Sequence, residues 1–207
     1  YAFFNKNKVA DYTFEDSVKD GVNVAPIIYR IKTQITQEGG AIEINDEVEK
    51  TSKITQETQT IKSKERTEYS STELNRQVVN LAQIRLIITR FKEIIYSTLY
   101  KDREPNFAYI PKTLIFAEND RHADNIINQI KEVFAPEFKN GLPENFVQKI
   151  TCKAGNSNEL IRQFRNNVEF RIAVTVTLVA TGTDVKPLEC VIFMRDVSSA
   201  VLYTQMK

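Results

Sequence analysis

The chain has 207 residues, of which 42% are hydrophobic and 27% are charged, a balance typical of a globular protein with a real core. That length accommodates one ordinary domain with an extension, or two small domains. The 28 lysines and arginines nearly balance the 27 aspartates and glutamates. Net charge therefore gives no argument for nucleic-acid binding, and it does not exclude it, because a local stripe of cations is enough to neutralise phosphates.

No apolar run approaches the roughly 18 residues that a membrane-spanning helix needs, and residues 1–8 lack the apolar core of a secretory signal. We therefore expect a cytoplasmic protein with no membrane partner. The chain begins at Tyr1 and ends at Lys207, so we expect it to be a piece of a larger protein.

Two cysteines and one histidine limit the redox and metal chemistry. Cys152 and Cys190 are far apart in apolar surroundings, which favours two reduced, buried thiols over a disulfide. With His122 as the single histidine, the sequence offers no plausible zinc site.

The first part of the chain predicts a β-hairpin followed by a polar stretch. Apolar and polar residues alternate over residues 29–35, which predicts a half-buried strand. Gly39 and Gly40 then offer a turn before a second strand over residues 41–44. Residues 45–68 are rich in Glu, Lys, Thr and Gln, and we interpret them as weakly packed helix or loop.

A long amphipathic helix is predicted next. Ser70 and Glu73 have the spacing of a capping box, which satisfies free N–H groups at a helix start. Apolar residues then recur at spacings of three and four from Leu74 to Leu99, a stripe about seven turns long that indicates core or interdomain packing. The cations on this helix are predicted to form a solvent-facing edge; they are Arg85, Arg90 and Lys92.

From residue 105 onward, predicted strands and helices alternate. Strands are expected over residues 113–117, 146–152, 170–179 and 191–194. The helices between them are expected to start at Asn119 or Asp120, at Asn156 with Glu159 as a capping box, and at Ser198 or Ser199. We expect the second helix to carry apolar residues as far as Val168.

Such alternation predicts an α/β fold with a parallel sheet flanked by helices, in which ligands bind beyond the carboxyl ends of the strands. We divide the chain into an interdomain segment, residues 1–104, and an α/β domain, residues 105–207.

The stretch most suggestive of chemistry is residues 180–185, directly after the third predicted strand of that domain. Gly182 permits a tight turn and close approach of a ligand to the backbone. The carboxylate of Asp184 could accept hydrogen bonds from a ribose or from an arginine across a domain cleft. Alternatively, Asp184 and the threonines beside it satisfy their own backbone in an ordinary loop, and spacing alone favours that interpretation.

Four segments, read in order, resemble the second RecA-like domain of superfamily 2 helicases. They are residues 112–117 (KTLIFA), 181–185 (TGTDV), 190–193 (CVIF) and the pair Tyr203-x-Gln205. The stretch TGTDVKPLECVIFMRDVSSAVLYTQMK, residues 181–207, resembles the motor (R) subunit of type I restriction enzymes. YTFEDSVKDGVNVAPIIYRIKT, residues 12–33, resembles the segment after the first motor domain in that subunit. The likeness covers most of the chain except residues 45–68.

The resemblance implies a part of an ATP-dependent, DNA-translocating and DNA-cleaving subunit that requires ATP and Mg²⁺. Its partners would be double-stranded DNA and the modification and specificity subunits, in a bacterial or archaeal cytoplasm. Residues 113–117 match helicase motif IV, residues 175–184 match motif V, and Gln205 matches the start of motif VI. The residues implied to bind nucleotide are Gly182, Asp184 and Gln205, and those implied to contact DNA phosphates are Thr175, Thr177 and Thr181.

The sequence departs from a complete motor in several places. It ends before the glycine and arginines that come after the glutamine of motif VI, and such an arginine stabilises charge on a transferring phosphoryl group. We find no phosphate-cradling Gly-Lys-Ser/Thr loop, no acidic magnesium box and no nuclease site. Many helicases carry an acidic residue where Thr177 stands. We therefore expect this fragment to have no catalytic residue and to be inactive on its own.

Other polar residues leave alternatives open. Lys153 precedes a predicted helix start, where it could bind DNA phosphate or belong to an ordinary turn. We interpret His122 as a solvated or capping residue rather than a catalytic base, and Arg162 and Arg165 as solvated. Two other functions remain open: another superfamily 2 enzyme, such as a strand-separating helicase, and a non-catalytic α/β module that binds a protein partner.

Overall fold

A computed structural model describes most of the second half of the chain and parts of the first. The described residues are 11–31, 40–42, 47–51, 58–62, 67–69, 78–151, 157–176, 185 and 187–195. The chain forms two compact units, residues 1–31 and residues 32–207. The division predicted between residues 104 and 105 stays a prediction.

The first unit contains a short capped helix, α1 (Phe14–Lys19). Its capping box is formed by Thr13, whose hydroxyl accepts from the Asp16 N–H at 3.1 Å, and by the Asp16 carboxylate, which accepts from the Thr13 N–H. Residues 24–30 come next, without regular structure and exposed. The strand predicted from Tyr29 is therefore wrong for Tyr29, Arg30 and Ile31, because alternation alone does not supply a hydrogen-bonding partner; its remainder lies outside the described residues.

Five short strands come next along the chain. β1 (Gly40–Ile42) pairs antiparallel with β4 (Thr67–Tyr69), and β2 (Glu47–Thr51) pairs antiparallel with β3 (Thr58–Lys62) and β5 (Val78–Asn80). The predicted hairpin is thus corrected, since Gly40 lies in a strand whose partner is the distant Thr67–Tyr69. The interpretation of residues 45–68 as helix or loop is also wrong for residues 47–51, 58–62, 67 and 68, which lie in strands; the rest of that stretch lies outside the described residues. The stretch is polar overall, but it contains valine, isoleucine and threonine, and these β-branched residues favour strands.

The amphipathic helix is shorter than its sequence pattern indicates. α2 (Leu81–Ile94) continues into a π-helical turn over Ile95–Leu99. The helix predicted to pass through Val78 is wrong there, because the β-branched pair Val78 and Val79 joins β2 instead; the capping box at Ser70 lies outside the described residues. The apolar stripe itself is confirmed from Ile84 to Ile95, where its members are buried.

Helix α2 packs against α3 (Asp120–Phe134), and charged side chains connect the two. Arg85 donates to Glu132 at 2.9 Å and is solvent-exposed, as predicted. Lys92 is not part of a solvent-facing edge: it is mostly buried and donates to the Val133 carbonyl at 2.9 Å. Its ammonium also lies 5.5 Å from the centre of the Phe107 ring. The aliphatic stem of a lysine lets the residue cover apolar surface while its charge reaches a partner, which a charge pattern does not reveal.

The main sheet of the second unit is parallel, which confirms the predicted α/β class. Its four described strands are β6 (Thr113–Phe116), β7 (Val147–Ile150), β8 (Ile172–Thr175) and β9 (Cys190–Phe193), in the spatial order β7-β8-β6-β9. All four fall within or overlap the predicted strands, although each is short. The last three residues predicted for the third strand and the helix predicted at Ser198 or Ser199 lie outside the described residues.

The helices between these strands start where the sequence predicts. Asn119 is the N-cap of α3 and accepts from the His122 N–H at 2.9 Å. α4 (Ser157–Asn166) opens directly after the predicted cap Asn156, which lies outside the described residues. Val168 is not on this helix, contrary to the prediction, and is exposed. The pair Asn166-Asn167 ends the helix, since asparagine competes with the helical hydrogen bonds of the backbone.

Each face of the sheet is covered by a different helix layer. Ile115 and Ile172 pack with α2 and α3 in one apolar cluster, whereas Leu114, Phe116 and Ala173 pack with α4 in another. This division is a consequence of the two-residue period of a strand, which sends successive side chains to opposite faces. Among the described residues, no helix is long and apolar enough to cross a membrane.

Cys190 is a free thiol at the start of β9, as the sequence predicts, but it is half-buried rather than buried, and desolvation raises its pKa to about 11. A thiol whose pKa is raised is protonated and unreactive at neutral pH. Cys152 lies outside the described residues.

The contribution of the α2–α3 layer to the free energy of unfolding can be measured by replacing Phe134. It is fully buried and lies against Phe107 and Phe146, with ring centres 6.3 and 5.6 Å away. We expect Phe134→Ala to lower the free energy of unfolding by about 3–5 kcal/mol, because a large buried ring leaves a cavity. Urea denaturation followed by circular dichroism measures this. Tyr109→Ala, at an exposed aromatic residue, is the control and should change stability by less than about 0.5 kcal/mol.

Candidate functional site

The carboxyl ends of β6, β8 and β9 lie level with one another. Phe116 is in register with Thr175 on one side and with Phe193 on the other. The ladder continues for one more residue: the Ala117 N–H donates to Thr175 at 2.8 Å, and the Met194 N–H donates to Phe116 at 2.9 Å. The segments that leave these three neighbouring strands therefore start side by side at one edge of the sheet, which we call the carboxyl edge.

The segment suggested for chemistry leaves the sheet at this edge. Thr175 ends β8, and Val185 returns to the apolar cluster between the sheet and α4. The predicted site residues between these two anchors lie outside the described residues; they are Thr177, Thr181, Gly182 and Asp184. The structure thus describes where the segment begins and where it ends. Lys153 and Gln205 also lie outside the described part of the chain.

Thr175 is the one predicted site residue that the structure describes. Its side chain has zero exposure, and its Oγ1 atom has no hydrogen-bond partner among the described residues. A buried hydroxyl in a native protein normally has such a partner. Its assignment as a phosphate contact stays a prediction.

Two charged residues at the carboxyl edge were missed by sequence analysis. Arg195, located after β9, donates from Nη1 to the Val176 carbonyl at 3.2 Å, and its Nε lies 3.8 Å from Oε2 of Glu118, located after β6. The Arg195 side chain is 17% exposed, and Nε makes no hydrogen bond within the described structure. The sequence does contain a signal for Arg195 and Glu118, because each is a charged residue two positions after the end of a strand.

The remaining polar residues have local partners. The His122 ring accepts at Nδ1 from the Glu118 N–H at 3.3 Å, so it makes a capping contact at the start of α3, in agreement with the prediction. Arg162 is exposed and forms a two-point contact with Glu159 at 2.9 and 3.0 Å, and Arg165 is exposed. In the part of the chain that is described, no group of three or more His, Cys, Asp or Glu side chains is placed to hold a metal ion.

The opposite, amino edge of the sheet holds a buried lysine. Lys112 precedes β6, is 3% exposed, and donates from Nζ to the carbonyls of Phe164 and Asn167 at the end of α4. An ammonium at this position satisfies carbonyl groups that a helix end leaves free and complements the negative end of the helix dipole. The amino edge is therefore tied to α4 by a charge rather than by apolar contact alone.

The surroundings of Lys112 lower its pKa to about 8, mainly through burial and additionally through the nearby positive charge of Arg171, against the opposing charge of Glu189. Arg171 donates to the carbonyls of Ile110 and Val168, and Glu189 accepts from Arg103 and from the Lys112 N–H. These groups are bonded to one another and to backbone, which makes the amino edge a structural network.

Comparison with known proteins supports the resemblance inferred from the sequence. No protein-family model matches the chain. The chain is 29% identical over 126 residues to the type I restriction enzyme EcoKI endonuclease subunit of Escherichia coli K12. That match covers 59% of this chain and 10% of the relative, so the chain spans about a tenth of that protein's length.

Two solved structures are also similar. One is a fragment of an HsdR subunit of a type I restriction enzyme from Vibrio vulnificus YJ016, with a TM-score of 0.45, 20% identity, and coverage of 61% of this chain and 24% of that chain. The other is the Hef helicase domain of Pyrococcus furiosus, with a TM-score of 0.40, 18% identity, and coverage of 63% and 23%.

The chain thus contains an α/β domain with a parallel sheet between helix layers. At modest identity it resembles part of the type I restriction-enzyme R subunit.

The lowered pKa of Lys112 can be tested through the pH dependence of stability. Because the pKa of Lys112 is near 8 in the folded chain and near 10.5 unfolded, the folded state holds fewer protons between these values. Its contribution to the free energy of unfolding therefore rises as pH increases from about 8 to about 10.5. We expect wild type to gain stability relative to Lys112→Met across this window, measured by urea denaturation at each pH. Arg162→Met, which removes an exposed cation that does not titrate there, should show a constant difference from wild type. A constant difference for Lys112→Met as well would contradict the lowered pKa.

Proposed function

We propose that this chain is the second RecA-like domain of an ATP-driven DNA motor, and that it contributes one wall of the ATP cleft together with DNA backbone contacts. The observation that carries the proposal is the position of the segment between Thr175 and Val185. It leaves the carboxyl edge from β8, which lies inside the sheet between β7 and β6. In open parallel sheets, ligands bind outside the carboxyl ends of the strands. This segment therefore begins at the position where such a sheet binds its ligand.

The chemistry of the residues at this edge fits a phosphate-bearing ligand. Thr175 Oγ1 is an enclosed donor that has no hydrogen-bond partner within the described residues, and phosphate oxygens are acceptors. Gly182 would allow close approach of backbone to the nucleotide, Asp184 would accept from a ribose or from an arginine across the cleft, and Gln205 would stand on the nucleotide side. ATP with Mg²⁺, when bound, supplies the free energy that drives movement along DNA.

The DNA contacts are assigned to hydroxyl groups and one cation. Thr175, Thr177 and Thr181 would hold phosphates through hydroxyl and backbone N–H groups, and Lys153 would add a charge near the start of α4. Contacts of this kind fix a protein on the duplex without reading bases, which suits a motor that moves over any sequence. Thr175 could take part only if its enclosed hydroxyl becomes accessible, so Thr177 and Thr181 are the main candidates.

The complete protein, in this proposal, is the ATP-dependent translocating and DNA-cleaving subunit of a type I restriction enzyme. The relative of known function is an endonuclease subunit, and this chain corresponds to about a tenth of its length. Cleavage and the other wall of the ATP cleft would then lie elsewhere in the parent chain. Its partners would be double-stranded DNA and the modification and specificity subunits. The fragment alone would hydrolyse no ATP.

The first test replaces the carboxylate assigned to the nucleotide side. In the parent protein, we expect Asp184→Ala to reduce DNA-stimulated ATP hydrolysis by about tenfold or more, because a charge-assisted hydrogen bond in the cleft is lost. Steady-state hydrolysis with linear duplex DNA measures this. The matched control is Asp124→Ala, at an exposed aspartate that pairs with Lys149 on the surface of α3 and should leave turnover near wild type.

Wild-type turnover in Asp184→Ala would contradict the motor assignment and favour a non-catalytic α/β module that binds a protein partner. Duplex unwinding without long-range translocation by the parent protein would favour a strand-separating helicase of the same superfamily.

A second test addresses the DNA contact at Lys153. Neutralising one phosphate-bound cation should weaken binding to all sequences alike and reduce the slope of log affinity against log salt concentration by about one. We expect this for Lys153→Met in the parent protein, measured by fluorescence anisotropy with duplex DNA at several salt concentrations. Lys149→Met, which breaks the surface pair with Asp124, is the control, and its slope should equal that of wild type. Equal slopes for the two variants would assign Lys153 to an ordinary turn.

A further inference from the structure

Beyond the last hydrogen bonds of the sheet, one side chain connects segments that leave three neighbouring strands. Arg195 stands two residues after β9, contacts Val176 directly after β8, and lies against Glu118 two residues after β6. Backbone bonds already align these strands up to Ala117 and Met194. The guanidinium therefore connects the strands just beyond the last backbone hydrogen bonds, where the ladder no longer fixes the path of the chain.

Because this contact is partly buried, we expect its interaction energy to be larger than that of an ordinary surface pair. Arg195 is 17% exposed and Glu118 is 46% exposed, whereas both partners of the Arg162–Glu159 pair on α4 are more exposed than 45%. Exposed pairs contribute little because water screens them, and an arginine removed from water interacts more strongly with both a carboxylate and a carbonyl dipole. The planar guanidinium also presents several donors in fixed directions, so it can hold two partners at once.

One of the two partners begins the segment that matters for the proposed function. Val176 is the first residue after β8 and immediately precedes residues 177–184, so a hydrogen bond to its carbonyl holds the backbone at the point where that segment begins. Glu118 immediately precedes the N-cap Asn119, so the same side chain is linked to the start of α3. Arg195 therefore links the carboxyl edge to the start of α3 through one hydrogen bond, to Val176, and one ion pair, with Glu118.

We propose that Arg195 is a positioning residue of the motor: through Val176 and Glu118 it holds the carboxyl edge in the arrangement from which residues 177–184 reach nucleotide and DNA. This inference rests on the proposed motor function. Arg195 itself need not touch either ligand. Its removal leaves the backbone ladder and the apolar clusters intact but loosens the start of the segment that carries the binding residues.

Steady-state kinetics of the parent protein tests this. We expect Arg195→Met to lower kcat for DNA-stimulated ATP hydrolysis by about tenfold, because displacements of about 1 Å at reacting groups cost up to about a hundredfold. The KM for ATP should change by less than about threefold, since the ligand-contacting residues are all retained. Arg195→Lys should not restore kcat, because a single ammonium cannot reproduce the two-partner geometry. Arg162→Met, which removes an arginine from an exposed pair, is the control and should match wild type.

A second variant keeps the proposal testable if Arg195→Met folds poorly. Glu118→Gln preserves the shape of the side chain and removes only its charge, and we expect it to lower kcat by about threefold with an unchanged KM, in line with the loss of one partly screened pair. Combined with Arg195→Lys, it should cost less than the product of the single effects, because both act on one contact.

The possible outcomes separate this inference from the function on which it rests. If Asp184→Ala abolishes turnover while Arg195→Met and Glu118→Gln keep kcat and KM within twofold of wild type, the positioning role is overturned and the motor assignment stands. If Arg195→Met changes only the unfolding midpoint, the contact is structural and the inference is again overturned. If Asp184→Ala has wild-type turnover, the proposed function fails first.

Discussion

Every other feature of this domain depends on covering both faces of a parallel sheet. Strands β6 and β8 send alternate apolar side chains to opposite faces, and neither face can be left to water. α2 and α3 cover one face and α4 covers the other. Parallel neighbours cannot be joined by tight turns, and α3 and α4 make the crossings from β6 to β7 and from β7 to β8. The consequence is geometric: all four carboxyl ends meet at one edge and all four amino ends at the other.

The two edges use polar groups in different ways. At the amino edge, Lys112, Arg171 and Glu189 bond to one another or to backbone carbonyl and N–H groups, and the lowered pKa of Lys112 reflects how deeply that charge is enclosed. At the carboxyl edge, Thr175 and Arg195 retain donors with no hydrogen-bond partner in the described structure. A satisfied network contributes to stability, whereas unsatisfied buried donors are tolerated mainly where function requires them. This contrast is the basis for the proposal that the carboxyl edge binds a ligand and that the amino edge is structural.

The predicted elements agree with the structure where the interactions that form them are local. The N-cap at Asn119, the start of α4 and the buried run at residues 113–116 all depend on residues within a few positions of one another, and all are confirmed. The prediction is wrong for the local pair β2–β3, and for β4 and β5, whose partner strands β1 and β2 are distant along the chain. Pairing across such distances is selected by the partner strand, and β-propensity depends on that context.

The sequence by itself determined the α/β class of residues 105–195, the order of their strands and helices, and the segment that leaves β8, because periodicity and capping are encoded within short windows. It also carried the resemblance to the R subunit. Only the tertiary structure decided that Lys92 links two helices, that Lys112 closes the end of α4, and that Arg195 meets both Val176 and Glu118. These contacts join residues between 19 and 77 positions apart, and a charge pattern along the chain does not show which carbonyl or carboxylate will lie within reach once the helices are packed.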